Sequence, residues 1–261
     1  MTKVPIRLVI AYVVCGALAL IGCEFDELVF KGLPPQAGTA GAGSLAAVMT
    51  NQWWILKYAF KPLTTVLLFQ ILGPPRDKFQ KCIALGIFFS LVGDVALLWS
   101  RDAALGDPAF AVGLLGFLAA HISYIVAFRR VGRRSPRALA AAVMLAATTV
   151  LVVVNWPHLH QVALRIAVPV YAAALGTMVT TAWSTDRARL NWATPAAIGA
   201  FLFFIGDASL ALDAFYWKDV HGHGIPHAWL LTIGVYWVGQ LGIATTARAG
   251  TRNLAADSVP S

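Results

Sequence analysis

Two apolar stretches of this chain carry the same phrase, FFSLVGDVALLW at 88–99 and FLFFIGDASLALDAF at 201–215, each setting Gly-Asp among residues suited to hydrocarbon. A carboxylate at bilayer depth costs at least about 2.5 kcal/mol, so Asp94 and Asp207 are the residues on which function should turn. Lys61, also within an apolar run, needs a partner or a route to water, and an aspartate is the obvious partner. That pairing holds one carboxylate ionised, while the other, in apolar surroundings near a like charge, keeps its proton at neutral pH. Two carboxyls driven apart in this way are a general acid and a general base. Cleavage through an oxocarbenium-like state, as in sugar hydrolysis, is the chemistry such a pair suits.

The elements that must hold these groups follow from composition. Of 261 residues, 59% are hydrophobic and only 12% charged, and the mean hydropathy is +0.71, which is the profile of a polytopic membrane protein. About 20 apolar residues cross a bilayer core, and eight such runs occur, at 5–22, 53–73, 79–99, 108–128, 136–156, 163–183, 193–215 and 227–247. The expected fold class is therefore all-α, an eight-helix transmembrane bundle making one domain over 1–261. A long external loop at 23–52, rich in Gly, Ala and Pro, and a tail at 249–261 complete it.

Lys and Arg concentrate at both termini and in the second, fourth and sixth connections, for example Arg76, Lys78, Arg129, Arg130, Arg133, Arg134 and Arg248, against only Lys31, Arg101, Arg165 and Lys218 on the other side. The positive-inside bias then places both termini in the cytoplasm. Trp53, Trp54, Trp99, Trp156, Trp217 and Trp229 mark outer ends, and Trp183 and Trp192 inner ones, as indole rings prefer the interface. The net charge of +8 is topology signal and attraction to anionic lipid headgroups, and no nucleic-acid partner is expected.

Asp94 and Asp207 fall four spans apart and so point the same way through the membrane, the mark of parallel repeats, here 1–130 and 131–250. Asp94 precedes Tyr124, and Asp207 precedes Tyr236, by nearly equal intervals, and Pro62 and Pro169 sit in the preceding even-numbered spans. A helical rise of about 1.5 Å per residue places Asp94 about 7 Å below the outer boundary, Asp207 and Lys61 about 12 Å, Tyr236 about 13 Å, and His121 and Gln240 about 20 Å. These groups are expected to share one cavity. The competing arrangement turns Lys61 outward with Lys57, four residues away on the same helix face.

Other chemistry-bearing residues carry less. Cys15, Cys23 and Cys82 have no framework spacing and predict no disulfide. Leu20-Ile21-Gly22-Cys23 resembles a lipoprotein cleavage box, an unusual device in a polytopic chain. His158, His160, His221, His223 and His227 fall on external connections. Their clustering invites a zinc reading, but with no cysteine or regularly spaced carboxylate among them the expectation is solvated loop histidines and no metal. Asp213, six residues after Asp207, is expected to be solvated at headgroup level.

Lys61-Pro62, Gly93-Asp94, His121 with Tyr124, Gly206-Asp207, and Tyr236 with Gln240, in that order on the second, third, fourth, seventh and eighth runs, resemble the YhhN-like lysoplasmalogenase family over about residues 50–245. Gly239 departs from the pattern where a small residue, often alanine, is expected, and the 23–52 loop is longer than expected. The resemblance implies an integral membrane hydrolase that cleaves the vinyl ether bond of a lysoplasmalogen, and the Ala-, Gly- and Arg-rich character of the chain points to a bacterial cytoplasmic (inner) membrane. The products are a fatty aldehyde and glycerophosphocholine or glycerophosphoethanolamine. It implies a lysophospholipid substrate among membrane lipids, no cofactor, Asp94 and Asp207 in catalysis, and Lys61, His121, Tyr124, Tyr236 and Gln240 in support or binding. The alternative class is a proton-coupled transporter using the same carboxylates. A cysteine placed at Arg134 is expected to react with a membrane-impermeant thiol reagent only after the membrane is opened; labelling in intact cells would reverse the assigned orientation.

Overall fold

Each of the eight apolar runs is helical in the computed structural model, which describes residues 4–32, 53–100, 106–132, 138–186 and 188–250. The helices are α1 (Ile6–Gly32), α2 (Trp53–Leu72), α3 (Lys78–Leu98), α4 (Gly106–Val131), α5 (Ala138–Asn155), α6 (Val162–Trp183), α7 (Ala193–Ala211) and α8 (Val235–Ala249). All eight are long and apolar enough to cross a membrane, α7 and α8 when counted with the helical turns that adjoin them. Large apolar side chains such as Leu139, Leu145, Val162 and Leu115 are exposed on the outside of the bundle. In water they would be a liability, but against lipid tails they are matched.

The boundaries follow local chemistry. Asp77 caps α3, its carboxylate accepting from Gln80 N at 2.7 Å, which satisfies one of the free donors at a helix start. Gln80 then reaches across the bundle and donates to Ala247 O at 2.9 Å, tying the start of α3 to the end of α8. Gly73 and Gly132, at φ of 72° and 91°, end α2 and α4 in the left-handed conformation that a side chain disfavours. Trp53 opens α2, Trp99 caps α3, Trp156 follows α5 and Trp183 ends α6, as the interface argument placed them.

Three boundaries differ from the hydropathy reading. Helix α1 continues to Gly32 instead of stopping at 22, since Glu24-Phe25-Asp26-Glu27-Leu28-Val29-Phe30 holds no helix breaker; the remainder of the expected loop, 33–52, and the tail beyond 250 lie outside the described residues. Cys23 is buried within that unbroken helix, and none of the three cysteines forms a disulfide among the described residues. Helix α7 continues as a wide π turn, Leu212–Trp217, and a short helix, Lys218–His221, while α8 is preceded by a second π turn, Leu230–Gly234. Such turns insert a residue into the helical register and are frequent at functional sites.

Helices pair in chain order, α1 with α2, α3 with α4, α5 with α6 and α7 with α8, and the pairs close through α2 with α3 and α8, and through α6 with α7 and α4. Glycine sets the tightest approaches, because small residues let helix backbones meet where lipid supplies no hydrophobic drive. A Cβ on Gly116 would stand 3.0 Å from Gly93 N, and the α7–α8 contact is closer still: Cβ atoms on Gly199 or Gly239 would press into each other's carbonyl oxygen. That contact explains why the position before Gln240 holds glycine where alanine is the expected residue. Gly239→Ala is expected to destabilise the detergent-solubilised protein by about 1–3 kcal/mol through overpacking, read as a lowered thermal midpoint. Gly234→Ala is the control, since a Cβ there would meet only Leu20 at an ordinary 3.7 Å.

Candidate active site

Asp94 lies on the inner face of α3 with Ser90 and Gly86, one and two helical turns before it, and follows the buried Gly93 directly. Lys61 and Thr65, spaced by four residues on α2, turn to it together. Lys61 Nζ stands 3.7 Å from Asp94 Oδ1, and Thr65 donates its hydroxyl to Oδ2 at 2.5 Å. From α8, Tyr236 donates to the same oxygen at 3.0 Å. All of this is buried, with Lys61 only 5% exposed and Asp94 2%. Lys61 therefore turns inward, while Lys57 sits at intermediate depth with its ammonium 5.6 Å over the Tyr58 ring.

The cluster continues through α8. Gln240, one turn after Tyr236, donates to Ser90 Oγ at 2.7 Å and to Tyr236 Oη at 3.3 Å, and accepts from Tyr124 at 2.7 Å. Every polar atom of that amide has a use, as a buried amide requires. Tyr124 is seated on Gly86, whose missing Cβ makes room for the ring. Tyr12 of α1 closes the cluster by donating to Trp237 O at 2.8 Å.

Asp207 belongs to a second cluster. It accepts from the Tyr171 hydroxyl through Oδ2, and His121 Nε2 of α4 stands 3.3 Å from that same oxygen. His121 is wholly buried between the Tyr171 and Phe203 rings, at 5.0 and 4.8 Å centroid separations. Its ring nitrogens are off the line of a hydrogen bond, and Nδ1 has no partner. A buried nitrogen left so is costly and uncommon.

The expected single cavity is replaced by two joined arrangements. An apolar cavity of about 40 Å³ is lined by Phe110, Leu114 and Phe117 of α4, Tyr171 and Leu175 of α6, and Leu210, Ala211 and Phe215 after Asp207. Asp207 is the carboxylate that reaches it. Asp94, Lys61, His121, Tyr124, Tyr236 and Gln240 are packed behind its wall, because Lys61, Thr65 and Tyr236 fill the space around Asp94. The two clusters meet at Tyr236 and Phe203, whose rings lie 4.8 Å apart. Gly206, next to Asp207, has no Cβ, and one there would come within 3.0 Å of Tyr236 Cβ.

Tyr171, Thr65 and Ser90 are absent from the residues that the sequence singles out. Tyr171 stands two residues after Pro169 and Thr65 three after Pro62, so the paired prolines are the usable signal. Asp213 is not solvated as expected: it accepts from Ile225 N at 2.5 Å and lies 3.9 Å from Lys218 Nζ, bracing the turn between α7 and α8. Four of the five loop histidines are exposed, as expected, while His158 is half-buried, and three of the five have carboxylate partners. His158 and His160 converge on Asp219 at 2.7 and 3.0 Å, and His227 pairs with Glu24 at 2.8 Å.

In class, this is an all-helical, multi-pass membrane protein with a hydrogen-bonded carboxylate lining an apolar cavity. A sequence model of the YhhN family matches residues 56–247, and the chain belongs to that family. It is 28% identical over 218 residues to a lysoplasmalogenase of Mycobacterium bovis, covering 78% of each chain. A lysoplasmalogenase of Homo sapiens is 32% identical over 170 residues, covering 63% of this chain and 64% of its own, and one of Sus scrofa is 31% identical over 152 residues, covering 58% and 57%. No solved structure matches.

Removing one member of a buried ion pair strands the other charge, at about 3–5 kcal/mol. Lys61→Met alone is expected to lower stability by that order, and Lys61→Met with Asp94→Asn to recover most of it, measured as thermal midpoints in detergent. Equal loss in the single and double variants would show that the pair is not what holds α2 on α3.

Proposed function

We propose that this protein is a lysoplasmalogenase-like hydrolase that cleaves the vinyl ether bond of a single-chain phospholipid, with Asp207 as the acid. The observation that carries it is a buried carboxylate, held by Tyr171 beside His121, lining an apolar cavity in the bundle. The names of relatives over most of the chain support the same substrate class.

Vinyl ethers hydrolyse when an acid protonates the alkene carbon remote from oxygen, leaving an oxocarbenium ion. Tyr171 and His121 both address Oδ2 of Asp207, which leaves Oδ1 to carry and deliver the proton. The carboxylate so formed stands beside the new cation and stabilises it. It then takes a proton from the water that adds to the cation, and the hemiacetal collapses to aldehyde and free glycerol hydroxyl. One carboxyl thereby serves as acid and then base. Asp94 acts at one remove: ionised against Lys61, it holds Tyr236, which packs on Gly206 and fixes the Asp207 backbone. No step requires a cofactor.

We place the protein in a bacterial cytoplasmic membrane with both termini inside, on the strength of the Lys and Arg distribution. We also read α1–α4 and α5–α8 as parallel repeats. In support, exchange of the halves maps Thr65 of α2 and Tyr236 of α8, which address Asp94, onto the helices of Tyr171 and His121, which address Asp207.

Purified protein in detergent is expected to release aldehyde from lysoplasmenylcholine or lysoplasmenylethanolamine and to leave an ester lysophospholipid intact. Asp207→Asn is expected to lower kcat by about 10²-fold or more with a smaller change in KM, as loss of a general acid does. Well-folded wild-type protein that releases no aldehyde would overturn the assignment.

A further inference from the structure

The apolar cavity has a polar neighbour. A recess of about 310 Å³ is lined by His158, His160, Gln161, Leu164, Ala214, Phe215, Lys218 and Asp219. Ala214 and Phe215 line both spaces, so one short wall divides a narrow apolar slot from a wide polar one. That wall is the π turn Leu212–Trp217. An inserted residue rotates the downstream side chains by about 100° around the helix, and it is the turn that sets Phe215 on the wall and delivers Lys218 and Asp219 to the recess.

The recess is assembled from parts distant in sequence. His158 and His160 come from the α5–α6 connection and meet Asp219, some sixty positions later, through Nδ1 and Nε2 respectively. The carboxylate bridges the two rings and orients both, leaving His158 Nε2 and His160 Nδ1 for another partner. Its own charge is engaged by the two rings. Lys218 Nζ stands 3.9 Å from Asp213, which is already bonded to Ile225 N, and Lys218 remains half exposed. The recess therefore presents an ammonium and two imidazole nitrogens, and the amide of Gln161, where a polar ligand continuous with an apolar chain would lie.

We propose that this recess is a binding site for the phosphodiester headgroup of a single-chain lipid whose hydrocarbon lies in the adjoining cavity, with Lys218 Nζ donating to the phosphate and His160 donating to it through Nδ1–H in the form that carries a proton on both ring nitrogens. The proposal rests on the lipid-hydrolase reading for the choice of a lipid as ligand, but its geometry requires only an amphiphile with one chain and one phosphate.

The test is equilibrium binding to the full-length protein in detergent of two uncleavable probes, a 1-O-alkyl-glycerophosphocholine and the phosphate-free 1-O-alkylglycerol of equal chain length. Because neither is turned over, the result stands whether or not aldehyde release is found, and the two readings fail separately. Wild-type protein is expected to prefer the phosphate-bearing probe by about tenfold, the scale of a charge-assisted contact. Lys218→Gln and His160→Gln, both at exposed side chains, are expected to bring that ratio close to one. Lys57→Gln, a cation outside the recess, is expected to leave it unchanged. Absence of a preference in wild type, or a preference that survives both recess variants, would overturn the proposal. Inorganic phosphate bound at the recess as tightly as the lipid probe would make it a free-anion site and overturn it as well.

Discussion

A charge inside hydrocarbon must be answered from within the protein, and in this bundle the answer given to Asp94 organises the rest. Lys61 supplies the counter-charge, and Thr65 and Tyr236 supply hydrogen bonds, so α2, α3 and α8 are fixed against one another at a single buried point. Gln240 extends the arrangement to α3 through Ser90 and to α4 through Tyr124. A buried pair of this kind contributes little net stability over well-packed apolar residues. What it supplies is register: a slip of any of the three helices would strand a charge, whereas apolar faces would tolerate it.

The second carboxylate is treated differently, and the difference is chemically useful. Asp207 also receives a hydroxyl from the preceding helix and faces a donor from across the bundle. In place of a lysine, that neighbour is a histidine, the residue type whose ordinary titration falls near neutrality. Asp94 is answered by an ion pair and two hydroxyls, and the Phe203 and Tyr236 rings pack against each other where its cluster meets that of Asp207. Two similar phrases in the chain thus become two differently answered carboxyls, and on the proposed reading the second is the reactive one.

The eight helices and the two aspartates were legible because lipid penalises both broken apolar runs and buried charge, and so leaves few alternative explanations. The inward turn of Lys61 was legible for the same reason. The hydroxyl partners were not. Thr64 returns its hydroxyl to its own helix at Phe60 O, as Thr148, Thr177, Thr180 and Thr245 do to theirs, and nothing local distinguishes Thr65, which instead reaches Asp94. The π turns escaped because hydropathy is blind to a single inserted residue. The histidine recess escaped because it depends on two connections meeting, which spacing within either cannot reveal. Depth from helical rise could not say which side of a packed aromatic wall each residue would occupy, and there the single-cavity expectation failed.

The small volume of the cavity that Asp207 lines bears on selection. Any protein embedded in a bilayer is dissolved in potential competitors, since the surrounding phospholipids share headgroup and chain chemistry with the ligand and outnumber it greatly. Affinity for those shared parts cannot discriminate between them. On the proposed lipid-hydrolase reading, a cavity of about 40 Å³ lined by Phe110, Phe117, Leu175 and Phe215 would discriminate by exclusion instead, since a second chain would find no place beside the first. The solvent would thereby be kept from inhibiting the protein it dissolves.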